Sequence, residues 1–380
     1  MRFLGPLVFI LLLTGLAWTL VGVHVVGDVP GGWSTIAGAW AIAALPVFVL
    51  ARNFTTGRYP SAATRLFLFR PFWYAQLLML ALALASSAAF LLGLPFGAGS
   101  AAGRCAVLIG AVALISIGLW GYVGSRRLVV RHITLSPPRM PRALDGLRIV
   151  QLTDLHVGPQ TSRRHLARIA DAARVAAGDI IAYTGDQVDD HPADIEVFAS
   201  AFGTLQAPLG VYAIPGNHDV YAGWDEVRRR TETMGVRVLV NDAIGLEYKG
   251  TRFCLAGTGD PAGRQMGAAG KSAAPDVDAM FTKVPHGAFC VTLAHNPALF
   301  PALAPRADVV LSGHTHHGQF SIPSRNWSLA SVFLEYAMGT YERSGSLLYV
   351  SPGTNYWGIP FRIGALPEVT VVTFRAVSQG

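Results

Sequence analysis

Residues 147–156 read LRIVQLTDLH, and this stretch decides how the fold is interpreted. It opens with a run of branched apolar residues, which is typical of a buried strand, and it ends in an aspartate and a histidine. Apolar runs at 179–183 and 210–214 also lead directly into polar residues. Because segments with helical spacing separate these runs, the sequence predicts an α/β domain.

The same alternation continues toward the C-terminus. The first predicted helix, 162–177, opens at Thr161 or Ser162 as a cap, and a stretch rich in Gly, Ala and Asp at 259–279 is expected to be a mobile loop. The further predicted helices are 193–205 and 223–234, and the further predicted strands are 236–240, 243–248, 251–256, 288–293, 308–311, 346–350 and 368–375.

Chemically active residues follow five of the predicted strands. In layered α/β folds the carboxyl ends of strands meet at one crevice, so these residues can converge on one site. Carboxylates buried beside several imidazoles without a lysine partner are costly unless a cation compensates them, so the set predicts a metal site. Glycine precedes three of them, as expected where backbone approaches a ligand closely. In chain order the residues are Asp154, His156, Gly185, Asp186, Gly216, Asn217, His218, Asp219, His295, Gly313, His314 and His316.

These motifs resemble those of the calcineurin-like metallophosphoesterase family, and the resemblance spans residues 147–375. Further motifs are similar to the membrane-associated bacterial branch of that family and to its vertebrate transmembrane relatives. The resemblance implies a sandwich of two mixed sheets flanked by helices, in a four-layer α-β-β-α arrangement. The branch motifs are Gly318-Gln319, Tyr349-Val-Ser-Pro-Gly353, Arg362 and Pro367-Glu368.

The resemblance also implies two divalent metal ions per chain, bridged by Asp186. Imidazole, carboxylate and amide donors suit Mn, Fe or Zn better than soft metals. Such a pair polarises a phosphate and lowers the pKa of a shared water, which gives a nucleophile near neutral pH. By the resemblance, one ion is held by Asp154, His156, Asp186 and His316, and the other by Asp186, Asn217, His295 and His314.

His218 completes neither metal shell in this assignment. The resemblance implies that it donates a proton to the leaving group or stabilises the charge of the transition state, with Asp219 holding its ring. A purely structural role is the alternative for Asp219. Asp189 is expected to support the ligands from outside, and His317 is expected to be peripheral, with a substrate contact as its alternative role. Two other histidines, His165 and His191, are expected to be surface residues.

The N-terminal third is predicted to cross the membrane as four helices, because each apolar stretch approaches the roughly 20 residues that span a bilayer. The second stretch contains Pro46, so a re-entrant or interfacial segment is its alternative interpretation. Residues 126–146 are expected to be a basic, proline-rich connector that leads to a hydrolase domain at 147–380. The predicted spans are 4–26, 34–51, 72–95 and 104–124, within a membrane region at 1–125.

The net charge of +7 comes from the N-terminal part of the chain, residues 1–145. Residues 1–145 hold eleven arginines and two acids, whereas the remainder holds nineteen basic and twenty-one acidic residues, which argues against nucleic acid as a partner. Arginines lie before the first span, in the loop 52–71 and after the fourth span, whereas the segment 27–33 has none. This distribution predicts a multi-pass protein of the cell (inner) membrane with a cytoplasmic catalytic domain. Arg104, at the outer end of the fourth span, is the exception. The counted arginines are Arg2, Arg52, Arg58, Arg65, Arg70, Arg126, Arg127 and Arg131.

The leading hypothesis is hydrolysis of a phosphodiester or pyrophosphate in a lipid-linked substrate at the cytoplasmic face. The alternatives are hydrolysis of a soluble phosphoester, with the spans as an anchor only, and a catalytically degenerate membrane sensor or transporter. The intact ligand set disfavours degeneracy, and the spans lack the charges of an ion path. An aromatic-rich segment at 320–336 is either core or an apolar flap that receives acyl chains.

Two further expectations concern partners and thiols. The sequence implies the lipid bilayer as a partner, and no protein partner is inferable from it. The three cysteines, Cys105, Cys254 and Cys290, are odd in number and widely spaced. This pattern predicts buried thiols rather than a disulfide framework or a thiolate zinc site.

Overall fold

The computed structural model describes residues 4–56, 60–158 and 161–376. These residues form two compact units that divide between Trp120 and Gly121. Arg2 and Arg58, which contribute to the predicted charge asymmetry, lie outside the described residues. The two units are described in turn.

Apolar helices make up the first unit, as predicted. Three segments are long and apolar enough to cross a membrane, namely Gly32–Asn53, Arg65–Phe96 and Gly99–Ser125, and Leu11–Val26 is a shorter apolar helix. The helices are α1 (Leu4–Val26), α2 (Gly32–Thr56), α3 (Arg70–Gly93) and α4 (Gly99–Ser125), with helical turns at Ala62–Thr64, Arg65–Phe69 and Leu94–Phe96.

The helix α2 continues through Pro46 without a break, which favours the spanning interpretation of that segment. It packs on α1, where the Trp40 indole Nε1 donates a hydrogen bond to Thr19 Oγ1 at 2.8 Å. A bond between two membrane helices satisfies polar groups that lipid cannot satisfy. Arg104 reaches the Asp28 carboxylate at 3.8 Å, so its guanidinium lies at the loop end of α4.

The cysteines are only partly as expected. Cys254 and Cys290 are buried free thiols, whereas Cys105 is exposed on α4. The prediction is therefore wrong for Cys105, because an apolar candidate span leaves much of its surface outside any protein core.

The second unit contains two six-stranded mixed sheets. The predicted strands are confirmed to within about two residues at most ends, which is the usual uncertainty of strand boundaries. The strands are β1 (Val129–Leu135), β2 (Arg148–Leu152), β3 (Ile180–Thr184), β4 (Val211–Ile214), β5 (Arg237–Val238), β6 (Asp242–Tyr248), β7 (Thr251–Gly257), β8 (Cys290–Leu293), β9 (Val309–Ser312), β10 (Ser321–Ile322), β11 (Trp327–Ser328), β12 (Gly339–Arg343), β13 (Ser346–Val350) and β14 (Glu368–Phe374).

The strand order is β1-β14-β2-β3-β4-β5 in the first sheet and β12-β13-β9-β8-β7-β6 in the second, with β10 and β11 forming a separate hairpin. Within the first sheet, β2, β3 and β4 are parallel neighbours, and β8 and β9 are parallel neighbours in the second. The carboxyl ends of neighbouring parallel strands lie at one edge of a sheet. The strand order therefore determines which residues at the carboxyl ends of the strands can lie close together.

Three longer helices follow strands of the first sheet. The predicted N-cap of the first is confirmed, because the Ser162 side chain accepts a hydrogen bond from the His165 amide. The last begins at Asn217, six residues before its predicted start, and is kinked at Gly223. These helices are α5 (Arg163–Ala176), α6 (Asp194–Phe202) and α7 (Asn217–Glu232), and the shorter helical turns are Arg142–Leu144, Ala262–Gln265, Gly267–Ala273, Val277–Thr282, Pro297–Leu299, Phe300–Leu303, His316–Gln319, Pro323–Arg325 and Leu329–Val332.

The expected loop at 259–279 is instead a series of short helical turns. The Asn241 side chain ties it down, because Oδ1 accepts hydrogen bonds from the Gly259 and Asp276 amides at 3.0 and 2.8 Å. Asn241 Nδ2 also donates to Ala274 O at 2.7 Å. Because the segment folds into helical turns and one side chain bonds it at three points, its assignment to an irregular loop is wrong.

Alternation along the strands produces the predicted layers. In β3, Ile180 and Ala182 face the second sheet, whereas Ile181 and Tyr183 face the core beneath α5, α6 and α7. Met280, on a helical turn, belongs to a third core on the outer face of the second sheet. Fully burying a large apolar side chain stabilises a fold by about 1.5–3 kcal/mol, so these cores hold the four layers together.

The expected connector at 126–146 contains a strand of the domain. β1 pairs in parallel with β14, and Arg131 Nε donates to Glu368 Oε2 at 2.6 Å. Glu368 also accepts from the Tyr349 hydroxyl at 2.5 Å, which joins β14 of the first sheet to β13 of the second. Two branch motifs of the sequence, Tyr349 and Glu368, therefore bind the sheets to each other.

Candidate metal centre

All seven predicted metal ligands lie at the meeting point of the two sheets. Asp154 and His156 follow β2, Asp186 follows β3, and Asn217 follows β4 in the first sheet. His295, His314 and His316 follow β8 and β9 in the second sheet. Residues separated by more than 160 positions thus converge because the carboxyl ends of both parallel sets face one crevice.

One group of ligand atoms surrounds Asp154 and His156. The Nε2 atoms of His156 and His316 are 3.0 Å apart, and His316 Nε2 is 3.3 Å from Asp154 Oδ1. His156 Nε2 is 3.5 Å from Asp186 Oδ2. Asp154, His156 and His316 are buried and could hold one metal ion.

A second group adjoins the first through Asp186. His295 Nε2 is 3.2 Å from Asp186 Oδ2, the same oxygen that faces His156. Asn217 Oδ1 is 3.2 Å from His295 Nε2 and 2.8 Å from His314 Nδ1. Asp186 Oδ2 is therefore common to both groups.

These separations fit metal coordination better than ordinary hydrogen bonding. At metal–ligand distances of about 2.1 Å, adjacent ligand atoms around one ion lie about 3 Å apart. The ring nitrogens of His156 and His316 lie at that spacing while also facing carboxylates. The donor set of imidazole, carboxylate and amide oxygen suits Mn, Fe or Zn, so the residues present fit divalent cations.

The charges of the buried groups also favour a cation. Burial alone would raise the pKa of Asp186, but the imidazoles of His295 and His218 outweigh it and hold the pKa well below its usual value. Burial opposes protonation of His295, but the carboxylates of Asp186 and Asp154 raise its pKa well above the usual value. The site therefore stabilises positive charge next to Asp186.

Two of the candidate ligand histidines are neutral at neutral pH. Burial lowers the pKa of His314 to about 4, and it lowers the pKa of His316 well below the usual value. An imidazole must be unprotonated at the nitrogen that binds a metal. Both residues are consequently ready to bind at neutral pH without first losing a proton.

The backbone around the site is held in an uncommon conformation. Among the described residues, seven at this site that are not glycine have positive φ, between 40° and 71°. Left-handed backbone costs roughly 1–2 kcal/mol per residue with a Cβ, and such strain concentrates at functional sites. The seven are Asp154, His156, Asp186, His314, His316, His317 and Gln319.

All three predicted close approaches are confirmed, and a Cβ at Gly185 would overlap the His295 ring. A Cβ at Gly216 would overlap the Asp186 carboxylate, and a Cβ at Gly313 would overlap that of Asp154. The neighbouring amides use this closeness, because His218 N donates to Asp186 Oδ1 at 2.8 Å and His314 N donates to Asp154 Oδ1 at 3.0 Å. Backbone packing thus fixes both carboxylates.

Several residues orient the ligands from outside. His295 Nδ1 is 2.8 Å from Thr184 O, which leaves its Nε2 free to bind a metal. Asp189 Oδ1 is 3.4 Å from His156 Nδ1, in the supporting position expected for it. Partners of this kind fix the ring orientation and so the direction of the ligand lone pair.

The branch motif Arg362 is the largest of these supports. It is fully buried, and its guanidinium donates to His316 Nδ1 at 2.8 Å and to the Asn355 carbonyl. Its amide donates to Gly121 O at 2.8 Å, in the last turn of α4. Arg362 therefore links the candidate ligand His316 to the backbone of Gly121.

The His218 ring lies beside the ligands, and Asp219 does not hold it as expected. His218 Nδ1 is 2.8 Å from Asp189 O and 3.2 Å from Asp190 Oδ1. Asp219 instead accepts hydrogen bonds from the amides of Gln187 and Gly216 at 2.9 and 3.0 Å. Asp219 thus joins the loops after β3 and β4.

The pKa of His218 reflects the acidic groups around it. Burial would lower it, but the carboxylates of Asp186, Asp190 and Asp189 outweigh this and raise it to about 10. Burial, reinforced by Asp186, raises the pKa of Asp219 to about 7. A cation beside Asp186 would weaken both effects, because it offsets that carboxylate.

Two other histidines lie deeper than expected. His317 is buried, with Nε2 3.1 Å from Val350 O, and burial lowers its pKa to about 3. His165 is 4% exposed, so its interpretation as a surface residue is wrong, since the first turn of α5 faces the core. His191 is half-buried, and its Nδ1 accepts from the Ala193 amide.

Asp260 was not singled out from the sequence. It follows β7 and is 1% exposed, and burial raises its pKa to about 6, with His295 acting in the opposite direction. Gly259-Asp260 repeats the pattern of Gly185-Asp186, a glycine and an aspartate after a strand. This repeated Gly-Asp pattern is the sequence signal that could have identified Asp260. It was overlooked because residues 259–279 were assigned to a loop.

Comparison with known proteins agrees with this geometry. The profile of the calcineurin-like phosphoesterase family matches residues 147–318. A transmembrane protein with metallophosphoesterase domain from Danio rerio is 33% identical over 65% of this chain and 57% of its own length. An uncharacterized metallophosphoesterase from Helicobacter pylori (strain J99) is 32% identical over 61% of each chain.

The extent of these matches differs among relatives. This chain spans about six-tenths of the length of the two relatives just named. An uncharacterized metallophosphoesterase from Aquifex aeolicus is 25% identical over 69% of this chain and 97% of its own length. Residues 147–318 therefore form a calcineurin-like phosphoesterase domain.

Proposed function

We propose that this chain is a membrane-anchored phosphoesterase that uses two divalent metal ions, Mn, Fe or Zn, to hydrolyse a phosphodiester or pyrophosphate bond. The sharing of Asp186 Oδ2 carries the proposal, since it lies 3.5 Å from His156 Nε2 and 3.2 Å from His295 Nε2. Metal ions about 3.5–4 Å apart with a bridging ligand are the arrangement that supports in-line displacement at phosphorus.

The chain contributes binding, orientation and a proton. When bound, the two ions polarise the phosphoryl oxygens and lower the pKa of a water molecule. Asp154, His156, Asp186 and His316 would hold one ion, and Asp186, Asn217, His295 and His314 the other. His218 donates its proton to the leaving oxygen, and Asp189 and Asp190 orient its ring. Asp219 keeps the loops that carry Asp186 and Asn217 in place.

We further propose that the substrate is lipid-linked. The segment 320–336 divides into two parts, because Tyr336 is buried in the core whereas Phe333 is 80% exposed and Val332 is 58% exposed. Leu329 contacts the turn after His316, since its Cβ lies close to Gly318. Exposed apolar side chains beside a metal site give acyl chains a surface on which to lose contact with water.

We also propose that the catalytic domain lies at the cytoplasmic face of the cell membrane, where it would meet such a substrate. The arginine-rich connections favour that side, and Arg104, the one exception, extends to Asp28 at the loop end of α4. Arg362 ties the ligand-bearing turn to Gly121 in the last turn of that helix.

Asp186→Asn is expected to abolish metal binding at both positions, whereas His314→Ala removes one ion, because Asp186 serves both groups. Metal analysis of the purified full chain measures this directly. Asp171→Asn, an exposed carboxylate on α5 paired with Arg174, is the matched control and should keep the wild-type content. An Asp186→Asn chain that retains two ions would contradict the assignment.

His218→Ala is expected to keep its metal and to lose roughly 10²–10⁴ in kcat, the usual contribution of a general acid. The loss should be largest for an alkyl leaving group and much smaller for nitrophenolate, which departs without a proton. His132→Ala, an exposed histidine on β1, serves as the control. Loss of metal, or an equal loss for both leaving groups, would rule out the proton-donor role.

Replacing Val332 and Phe333 together by serine is expected to lower kcat/KM about 10-fold on a diacylated phosphodiester, because apolar contact worth about 1.4 kcal/mol is lost. A short-chain analogue with the same headgroup should be hydrolysed as by the wild type. Val175→Ser, which replaces an 84% exposed valine on α5, is the control. If the double variant hydrolysed both substrates as fast as the wild type does, the result would favour a soluble phosphoester as the substrate.

The catalytic domain is expected to lie in the cytoplasm, because the arginine-rich connections favour that side. A C-terminal green fluorescent fusion should therefore be fluorescent, and a C-terminal periplasmic phosphatase fusion should be inactive. Fusions after residue 30, in the connection between α1 and α2, should behave in the opposite way. Phosphatase activity at the C-terminus would overturn the orientation.

A further inference from the structure

Two partly exposed aromatic side chains stand beside the ring of His218. Tyr221 is 45% exposed, with its ring centroid 5.7 Å from that of His218, and Trp357 is 50% exposed, at 5.9 Å. Both rings meet the imidazole at steep angles, 69° and 64°. One exposed aromatic residue is ordinary, but two against the same imidazole are not accounted for by core packing.

Trp357 is held in this place by a pair of hydrogen bonds. Its amide donates to Gln319 Oε1 at 3.0 Å, and Gln319 Nε2 donates to its carbonyl at 3.1 Å. Gln319 itself has a positive φ of 57°, which is costly for a residue with a Cβ. The branch motif Gly318-Gln319 thus fixes the backbone of an exposed indole, which lowers the entropy lost when that indole binds something.

The neighbours of Trp357 form a wall of the metal centre. Tyr356 and Gly358 line a small cleft together with His156 and Asp189, so the segment that carries Trp357 borders the ligand groups. Its indole therefore adjoins the place where a substrate must lie.

Tyr221 lies in the first turns of α7, before the kink at Gly223. It follows His218 by three residues in α7, so the two side chains share one face of the first turns. The helix breaks its regular conformation at Gly223, where φ is 112° and ψ is 82°. The turn that carries Asn217, His218 and Tyr221 is consequently set apart from the rest of α7, and it presents the phenol next to the proposed proton donor.

We propose that Tyr221 and Trp357 form an aromatic subsite that binds a flat aromatic group, a nucleobase or an aryl ring, on the leaving side of the scissile bond. This inference rests on the proposed phosphoesterase function. The proton donor His218 must face the leaving oxygen, so the group attached to that oxygen extends past the two rings beside His218. Stacking and edge-to-face contacts then select a flat ring over a flexible chain.

The subsite is chemically distinct from the surface proposed for acyl chains. That surface, at Leu329, Val332 and Phe333, combines two aliphatic side chains with one aromatic side chain and carries no polar group. Tyr221 and Trp357 instead offer two aromatic rings with a polar edge. A substrate with an acylated part and a flat leaving part would use both surfaces, and the enzyme would discriminate between leaving groups by their shape.

The kinetic test compares two phosphodiesters whose leaving alcohols are equally acidic, one phenyl and one fluoroalkyl, with the full chain in detergent. The ratio of their kcat/KM values is expected to favour the phenyl ester and to fall about 10-fold in Trp357→Leu, through KM rather than kcat. Trp357→Phe should restore most of the preference. Trp120→Leu, which replaces a 63% exposed tryptophan of α4, is the control and should leave the ratio unchanged.

A binding measurement separates this inference from the proposed function and distinguishes the two kinds of flat group. Calorimetry on the metal-loaded full chain compares a nucleoside 5′-monophosphate with ribose 5-phosphate, and phenyl phosphonate with methyl phosphonate. A preference of about 10-fold for the ring-bearing member of either pair, lost in Tyr221→Leu and Trp357→Leu, supports the subsite even without turnover. Equal affinity within both pairs, or parallel loss of both ester activities in Trp357→Leu, overturns it.

Discussion

A fully buried carboxylate, Asp186, is the constraint on which the rest of the site depends. It accepts a hydrogen bond from the His218 amide and faces imidazoles of both sheets, His156 and His295. An unpaired charge in such a place is expensive, so the surroundings must supply positive charge. Every candidate ligand near Asp186 follows the carboxyl end of a strand. Because two parallel sets of strands converge there, imidazoles and a bound cation can supply the positive charge that Asp186 needs.

The strain around the site follows from the same requirement. Aspartate and histidine side chains can reach one point from five strands only if the backbone turns abruptly after each strand, and positive φ at residues such as Asp154 and His316 provides those turns. Burial in the three apolar cores offsets this cost. Arg362 adds a further constraint, since it fixes His316 and is itself bonded to Gly121 at the end of an apolar helix.

Local sequence predicted most of the scaffold, because strand patterns, the Ser162 cap and the apolar spans depend on neighbours in the chain. It also singled out the seven candidate ligands, since each follows a strand, and the family resemblance divided them between two metal positions. Contacts between distant segments were not accessible in this way. The pairing of β1 with β14, the bonds of Asp219 to loop amides and the burial of Asp260 are set by tertiary packing, as is the proximity of Trp357 to His218.

The most direct test of the account is the electron paramagnetic resonance spectrum of the full chain loaded with manganese in detergent. Two ions held by a shared Asp186 oxygen would lie about 3.5–4 Å apart, close enough for their spins to couple. The account predicts the spectrum of an exchange-coupled pair, with two manganese ions per chain. The spectrum of isolated Mn²⁺ alone, at one ion per chain, would contradict it.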